Sequence, residues 1–582
     1  MNLPAMVYSD GIRKHKQVKF GGLNHTKGAA DGELYDMRNL CSDDYPLLSV
    51  RPQRLVIRKL EKPNGLFYWK GLLWVDGTDV YFDGEVVGQV EDSKKTFGAL
   101  GPYIVIMPDK VCYHVEEQAM MPMEKTWEYS PSSSVYLRVM DAYKAHNDNE
   151  AYVNTTKYNA LSVRGRPDMT DYKGMNPAPD FSTIFRIGDS VRVTRTNSSG
   201  ATESVVAVIR DFYRDTGNAG YVGDNGEMMY YGYSQIIFDE GSLKSIRQLS
   251  IDKITVTREV PDLKYLCEDG NRLWGCTGDT IHACKLGDPF NWNVFDLLET
   301  DSWALTPASS GEFTGCINYQ GYPTFFKEDR LYKVYGQTPS AFSVVDSPCL
   351  GVAAGCGDTL ALAWGTVFYL GTNGPMMYTG SLPRPVSHEL GSIRLVGGCA
   401  GSEGLKYYAA MRDPGGESRL YVYDVQRGMW HIEDEMEAIA LCRVDGDLYC
   451  LAADGAIQIL GEAKAVPEGA AEEERISWMA EFADFVHDDP NHKGVSKLQL
   501  RLGLEKGSRL TVLIQFDSDG VWRQVRTLIA PTLVALGDKR SYYLPIVPRR
   551  CDHYRIRLEG TGRASVYSMV RESYSGSEHP AR

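Results

Sequence analysis

One unit of sequence recurs along this chain and constrains its fold more than any other feature. It is a short strand-like run, a tight Gly/Asp/Asn turn and a second run. "GTVFYLGTNGPMMYTG" (365–380) shows the form: Val367 to Leu370, a turn at Thr372-Asn373-Gly374, then Met376 to Tyr378. "LLWVDGTDVYFDG" (72–84) and "DLYCLAADGAIQILG" (447–461) keep the same cadence. Larger units begin near Tyr265, Phe313, Ala353, Val396 and Ala438, and their starts lie about 40–50 residues apart, the period of four-stranded propeller blades. A four-stranded sheet of this size cannot bury both faces alone. Stacking against like neighbours buries them, which is a physical reason for the repetition.

Two earlier units, 64–88 and 97–115, carry the same rhythm, which stops after Val115 and resumes around 253–266. The 57 glycines and 35 tyrosines among 582 residues suit short strands and tight turns. Helical periodicity is nearly absent. The expected class is all-β: a β-propeller of about six to eight blades with an inserted small β-domain and a C-terminal β-sandwich. The expected divisions are an N-terminal arm (1–60), first blades (61–116), an inserted domain with a small β-barrel (117–252), remaining blades (253–462), an acidic linker (463–475) and the sandwich (476–582). Within the insertion, "FRIGDSVRVTRTNSSGATESVVAVIRDFY" reads as a hairpin turning at Asn197–Gly200.

Charge and cysteine usage narrow the function classes. The formal net charge of −14 argues against a surface that grips nucleic acid broadly. Twelve cysteines are scattered singly from Cys41 to Cys551 with no C-x-x-C pair, the distribution of reduced thiols in a reducing cytoplasm. The first residues carry no apolar signal region, and no run is long enough for a membrane helix.

Catalytic patterns are missing. There is no P-loop and no G-x-S-x-G elbow, and His388-Glu389 lacks the second histidine of a metalloprotease helix. "GTGRAS" (560–565) lacks the third glycine of a dinucleotide loop. His487, Asp488, Asp489 and His492 in "HDDPNH" have metal-ligand chemistry, but Asp-Asp-Pro-Asn is also ordinary loop sequence, and we read it so. "FDSDGVW" (516–522) resembles an Asp-box turn, occurs once, and is read as a hairpin. No catalytic residue, cofactor or metal is therefore expected. Tyr230, Tyr231 and Tyr233 in "GEMMYYGYSQ" are candidate interface residues, with packing of the small barrel as the alternative.

Three stretches carry a resemblance. They are "GELYDMRNLCSDDYPLLSVRPQR" (32–54), with Asn39 and then "RP"; "LGDPFNWNVFD…GYPTFFKEDRLYKVYG" (286–336); and "GTVFYLGTNGPMMYTGSLPRPVS" (365–387). Together they resemble the β-propeller virion proteins of tailed bacteriophages, of the tail-nozzle or packaged-DNA stabilisation type. The resemblance covers the arm and the blades but not the insertion. It implies a non-enzymatic homo-oligomeric ring in the head-to-tail region, assembled in the host bacterial cytoplasm and resident in the virion tail. Its implied partners are portal, adaptor and other tail proteins. An acidic channel would let DNA pass without sticking. Two alternatives remain open from the residues themselves: a glycan-binding or glycan-hydrolysing propeller, and a cytosolic interaction scaffold.

Overall fold

In the computed structural model, described residues are 12–26, 28–130, 136–143, 157–165, 178–222, 228–246, 253–486, 492–530 and 539–575. The chain is all-β. Among the described residues seven antiparallel meanders, the first six of four strands each, make the blades of a β-propeller fold, at 63–89, 96–122, 265–305, 315–348, 361–385, 397–432 and 438–460, numbered here 1 to 7. The seventh has three strands of its own, and Leu55–Lys59, from near the N-terminus, pairs with Ala456–Leu460 to complete it.

Turn chemistry explains why these residues form meanders. Asp83-Gly84, Gly270-Asn271, Trp364-Gly365 and Asp445-Gly446 each place two successive residues at positive φ between paired strands. Two left-handed residues give the turn whose twist matches that of the flanking strands. In the hairpin at 365–380, Val367 faces Tyr378 and Gly371 faces Gly374, so the chain reverses through Thr372-Asn373.

The chain divides into two compact units. The first holds blades 1, 5, 6 and 7 and the sandwich, and its blades pack in the order 5, 6, 7, 1. An apolar cluster including Cys399, Tyr408, Leu420, Leu448 and Cys450 lies between blades 6 and 7, and another, with Leu66, Trp74, Leu451 and Ile457, lies between blades 7 and 1. Contact is close: a Cβ on Gly401 would stand 2.8 Å from the Cβ of Leu441. The second unit holds blades 2, 3 and most of blade 4. There Leu100, Val105, Leu273 and Trp292 join blade 2 to blade 3, and Trp274, Ile281, Phe325 and Tyr332 join blade 3 to blade 4.

Blade 2 is complete, and the insertion follows its last strand, Ala119–Pro122. The inserted domain is one seven-stranded antiparallel sheet in the order Lys125–Tyr129, Lys253–Arg258, Ser190–Thr196, Thr202–Val222, Met228–Asp239, Lys157–Gly165, Tyr136–Tyr143. It bends around one core that includes Val191, Val193, Ile209, Ile236 and Phe238. Among the described residues its pairing runs from edge to edge without closing.

The C-terminal sandwich has two sheets, and the N-terminal segment supplies strands to both. Arg13–Gln17 and Leu48–Val50 pair with Ala564–Ser575, while Leu34–Arg38 pairs with Ser477–Phe482. The segment expected as an arm is thus built into the sandwich and blade 7. Part of the expected linker is also strand, since Ala471–Glu472 pairs with Leu55–Lys59. Edge strands left unpaired expose backbone donors and acceptors, and these additions cover them. All twelve cysteines are unpaired thiols. Among the described residues no helix is long and apolar enough to cross a membrane.

Candidate functional site

The residues singled out in the sequence do not converge on one site. Tyr230, Tyr231 and Tyr233 lie on Met228–Asp239 of the inserted domain, opposite Gly220, Ala219 and Asp215. Tyr233 is half-buried, with its ring 5.5 Å from that of Tyr213. The side chains of Tyr230 and Tyr231 lie outside the described part of the structure. So do His487, Asp488 and Asp489, leaving His492 of that motif. Among the described residues no group of three or more His, Cys, Asp or Glu is placed to hold a metal. The "FDSDGVW" turn links two sandwich strands. Asp517 Oδ1 accepts from the Asp552 N–H at 2.7 Å, and Trp522 lies under the Arg557 guanidinium at 4.1 Å. In "DPFNW", Asn291 donates to Asp288 at 2.7 Å, and the buried Trp292 donates to the Pro289 carbonyl at 2.8 Å.

The "RPQR" stretch proves to be a clasp. Arg51 donates to both oxygens of Glu473 at 2.7 and 2.8 Å, a bidentate pair. Its Nε donates to Asn39 Oδ1 at 2.8 Å. Arg54 donates to Glu433 at 2.7 Å and to Asp434 at 2.6 Å. Both arginines are buried, and their partners come from the end of blade 6 and from the stretch after Ala471–Glu472. Burial alone would raise the Glu473 carboxyl, but the Arg51 guanidinium outweighs it and holds the group below the usual carboxylate range. Asn39, at φ 57°, donates to the Ser477 carbonyl at 2.8 Å. One short N-terminal stretch therefore ties the last blades to the sandwich through two buried arginines and their ionic contacts.

Beside the clasp is a cleft of about 530 Å³, within the usual size of small-ligand sites. Its floor is the outward face of one sandwich sheet. Register places Arg38, Met479, Glu559 and Thr511 in one cross-strand row, and Ser477, Thr561 and Arg509 in the next. Blade 6 supplies Arg419 to the opposite wall, and the stretch just after its last strand supplies Asp434 and Glu435. Gly560 faces Trp478 across the strands and lets the indole lie against it; a Cβ there would be 2.5 Å from the ring.

Two loop tips present strained apolar side chains to solvent. Leu297, between blade 3's last two strands, is 99% exposed at φ 67°, with Phe295 and Leu298 exposed beside it. Trp364, in blade 5's first hairpin, is 71% exposed at φ 50°. A bulky residue in the left-handed region is a true outlier.

No protein-family profile matches this sequence, and no curated protein matches it. Among solved structures, the computationally designed Ika8 protein is 11% identical with a TM-score of 0.32, covering 71% of this chain and 100% of its own. BamB from Moraxella catarrhalis is 12% identical with a TM-score of 0.32, covering 72% and 98%. A chain of the mitotic checkpoint complex is 7% identical with a TM-score of 0.28, covering 71% and 95%. Likeness this distant carries no function to the present chain.

Proposed function

We propose that this protein is a structural component of a phage or prophage tail, a ring-forming subunit that extends or closes the DNA channel. The observation that carries the reading is the pair of strained, exposed tips at Trp364 and Leu297. Left-handed backbone at such residues costs on the order of 1–3 kcal/mol each, and exposing their apolar surface costs more. A partner that buries them repays the second cost, and assembly surfaces are enriched in tryptophan. The clasp at Arg51 and Arg54 supports the same reading, because a load-carrying subunit needs its modules fixed to one another. So does the resemblance of three stretches to tail-nozzle propellers. Closed homo-oligomers form by repeating one such interface.

The test is solution mass beside negative-stain images of the wild type and of Trp364→Ser and Leu297→Ser. The expected result is rings around an open channel for the wild type and loss of rings in at least one variant. A wild-type protein that stays monomeric alone and in the presence of portal complexes overturns the reading.

The cleft favours a second reading, that the protein recognises glycans as a receptor-binding tail component. Its size, its mixed donors and acceptors and its position on a sheet face suit a saccharide.

A further inference from the structure

The cleft on the sandwich sheet treats its charges in two ways. Toward one end of the outward face, every arginine is paired. Arg555 donates to Asp484 at 2.5 Å, and Arg557 donates to Glu481 at 2.5 Å and to Glu559 at 3.3 Å. At the other end, among the described residues, the side chains of Arg38 and Arg509 have no ion pair or hydrogen bond, and neither does that of Arg419 on the facing blade wall. They are not short of carboxylates. Among the described residues the Glu435 carboxylate lines the same cleft with no hydrogen bond or ion pair, and the Asp36 carboxylate accepts from the Met37 N–H alone, at 2.9 Å. The three guanidiniums and two carboxylates converge on one cavity without satisfying one another.

We propose that this cleft binds an acidic saccharide. Its carboxylates and adjoining oxygens lie along Arg38, Arg419 and Arg509, and its hydroxyls donate to Asp36 and Glu435. The inference rests on the glycan-binding reading above and gives it a site and a ligand class. Charge selects the class. A guanidinium fork matches a carboxylate. A phosphate dianion would meet Asp36 and Glu435 as repelling neighbours, whereas sugar hydroxyls need such acceptors. Extent fits as well: Arg38 and Arg509 stand three strands apart, roughly 14 Å at the spacing of paired strands, more than one sugar ring.

Calorimetric titration of the full chain tests this with sialyllactose and tri-galacturonate against their neutral counterparts, lactose and maltotriose. An acidic sugar is expected to bind at least about tenfold more tightly than the neutral ones, and less tightly as salt is raised. Arg38→Ala and Arg509→Ala are exposed positions whose fold is checked by circular dichroism, and each is expected to weaken acidic binding about tenfold or more. Glu435→Gln should weaken it less. Equal binding of acidic and neutral sugars overturns the acidic class. Binding that ignores the arginine variants overturns the cleft while leaving the glycan reading standing. Displacement by inorganic phosphate at equal concentration overturns the saccharide assignment. No binding of any of the four sugars overturns both the inference and the reading beneath it.

Discussion

Replacing Arg54 with methionine should cost far more than a surface charge would. The side chain is 3% exposed and donates to Glu433, itself 4% exposed, and to Asp434. Methionine keeps much of the volume and removes the charge. Glu433 is then left with Arg51, 3.7 Å away, and Asp434 with partial access to water. Removing one partner of a buried pair costs about 3–5 kcal/mol. The remaining Arg51 and the water near Asp434 place this case at the low end, about 3 kcal/mol. The first unit holds well over 300 residues, and at about 2.1 cal/mol/K of unfolding entropy per residue, or about 1.4 °C per kcal/mol, its transition should fall by roughly 4 °C. Calorimetry reads the shift. Hydrogen exchange should show lost protection first in Leu55–Lys59, the strand that follows the clasp. Lys59→Met is the control: its contact with Asp454 is 3.9 Å long with both side chains well exposed, a kind of pair worth at most about 1 kcal/mol. The double variant Arg54→Met/Glu433→Met should recover part of the loss, because it removes the stranded charge. If Arg54→Met proves no costlier than Lys59→Met, the clasp does not hold these elements together.

Burial holds His282 and His431 down at about 4, against 6.5 for a free imidazole. Their contribution is complete above pH 6.5 and is lost as pH falls through about 4, up to about 3 kcal/mol each; His431→Asn should flatten the fall of the melting temperature with acid. Gly401→Val drives a side chain into Leu441 and Leu448 of the next blade and should cost about 1–3 kcal/mol by thermal unfolding. Trp364→Gly should leave the folded subunit as stable or slightly more so, since glycine adopts the left-handed turn freely, while particle assembly fails; a stability loss with assembly intact would contradict the role given to this tip.

The blades were legible because their signals are local. Asp445-Gly446 and Asp83-Gly84 announce their turns within a few residues, and alternation in stretches such as Arg509–Phe516 announces the buried face. The destinations of the N-terminal strands were not legible. Arg13 pairs with Ser573 and Leu55 with Ile459, and no local pattern encodes a partner hundreds of residues away. The same distance hid the cleft. Arg38, Arg419 and Arg509 look like three unrelated surface arginines until strand register sets two of them on one sheet and the third opposite. Arg51 and Arg54 could have been singled out: two arginines flanking Pro52-Gln53 just before a strand are a plausible anchor, but only the fold shows that they are buried. The tyrosine run drew attention for its composition, and Tyr233 turns out to pack against Tyr213 within its own domain.

The proposed role of this chain as a structural part of a tail can be tested in particles. The most direct measurement is to delete its gene from the genome that encodes it, induce and purify any phage particles made with and without it, and compare their protein content, images and infectivity. The expected result is that the protein is a stoichiometric component of the wild-type tail, and that its loss yields tailless or DNA-leaking heads. Normal, infectious particles made in its absence would contradict it.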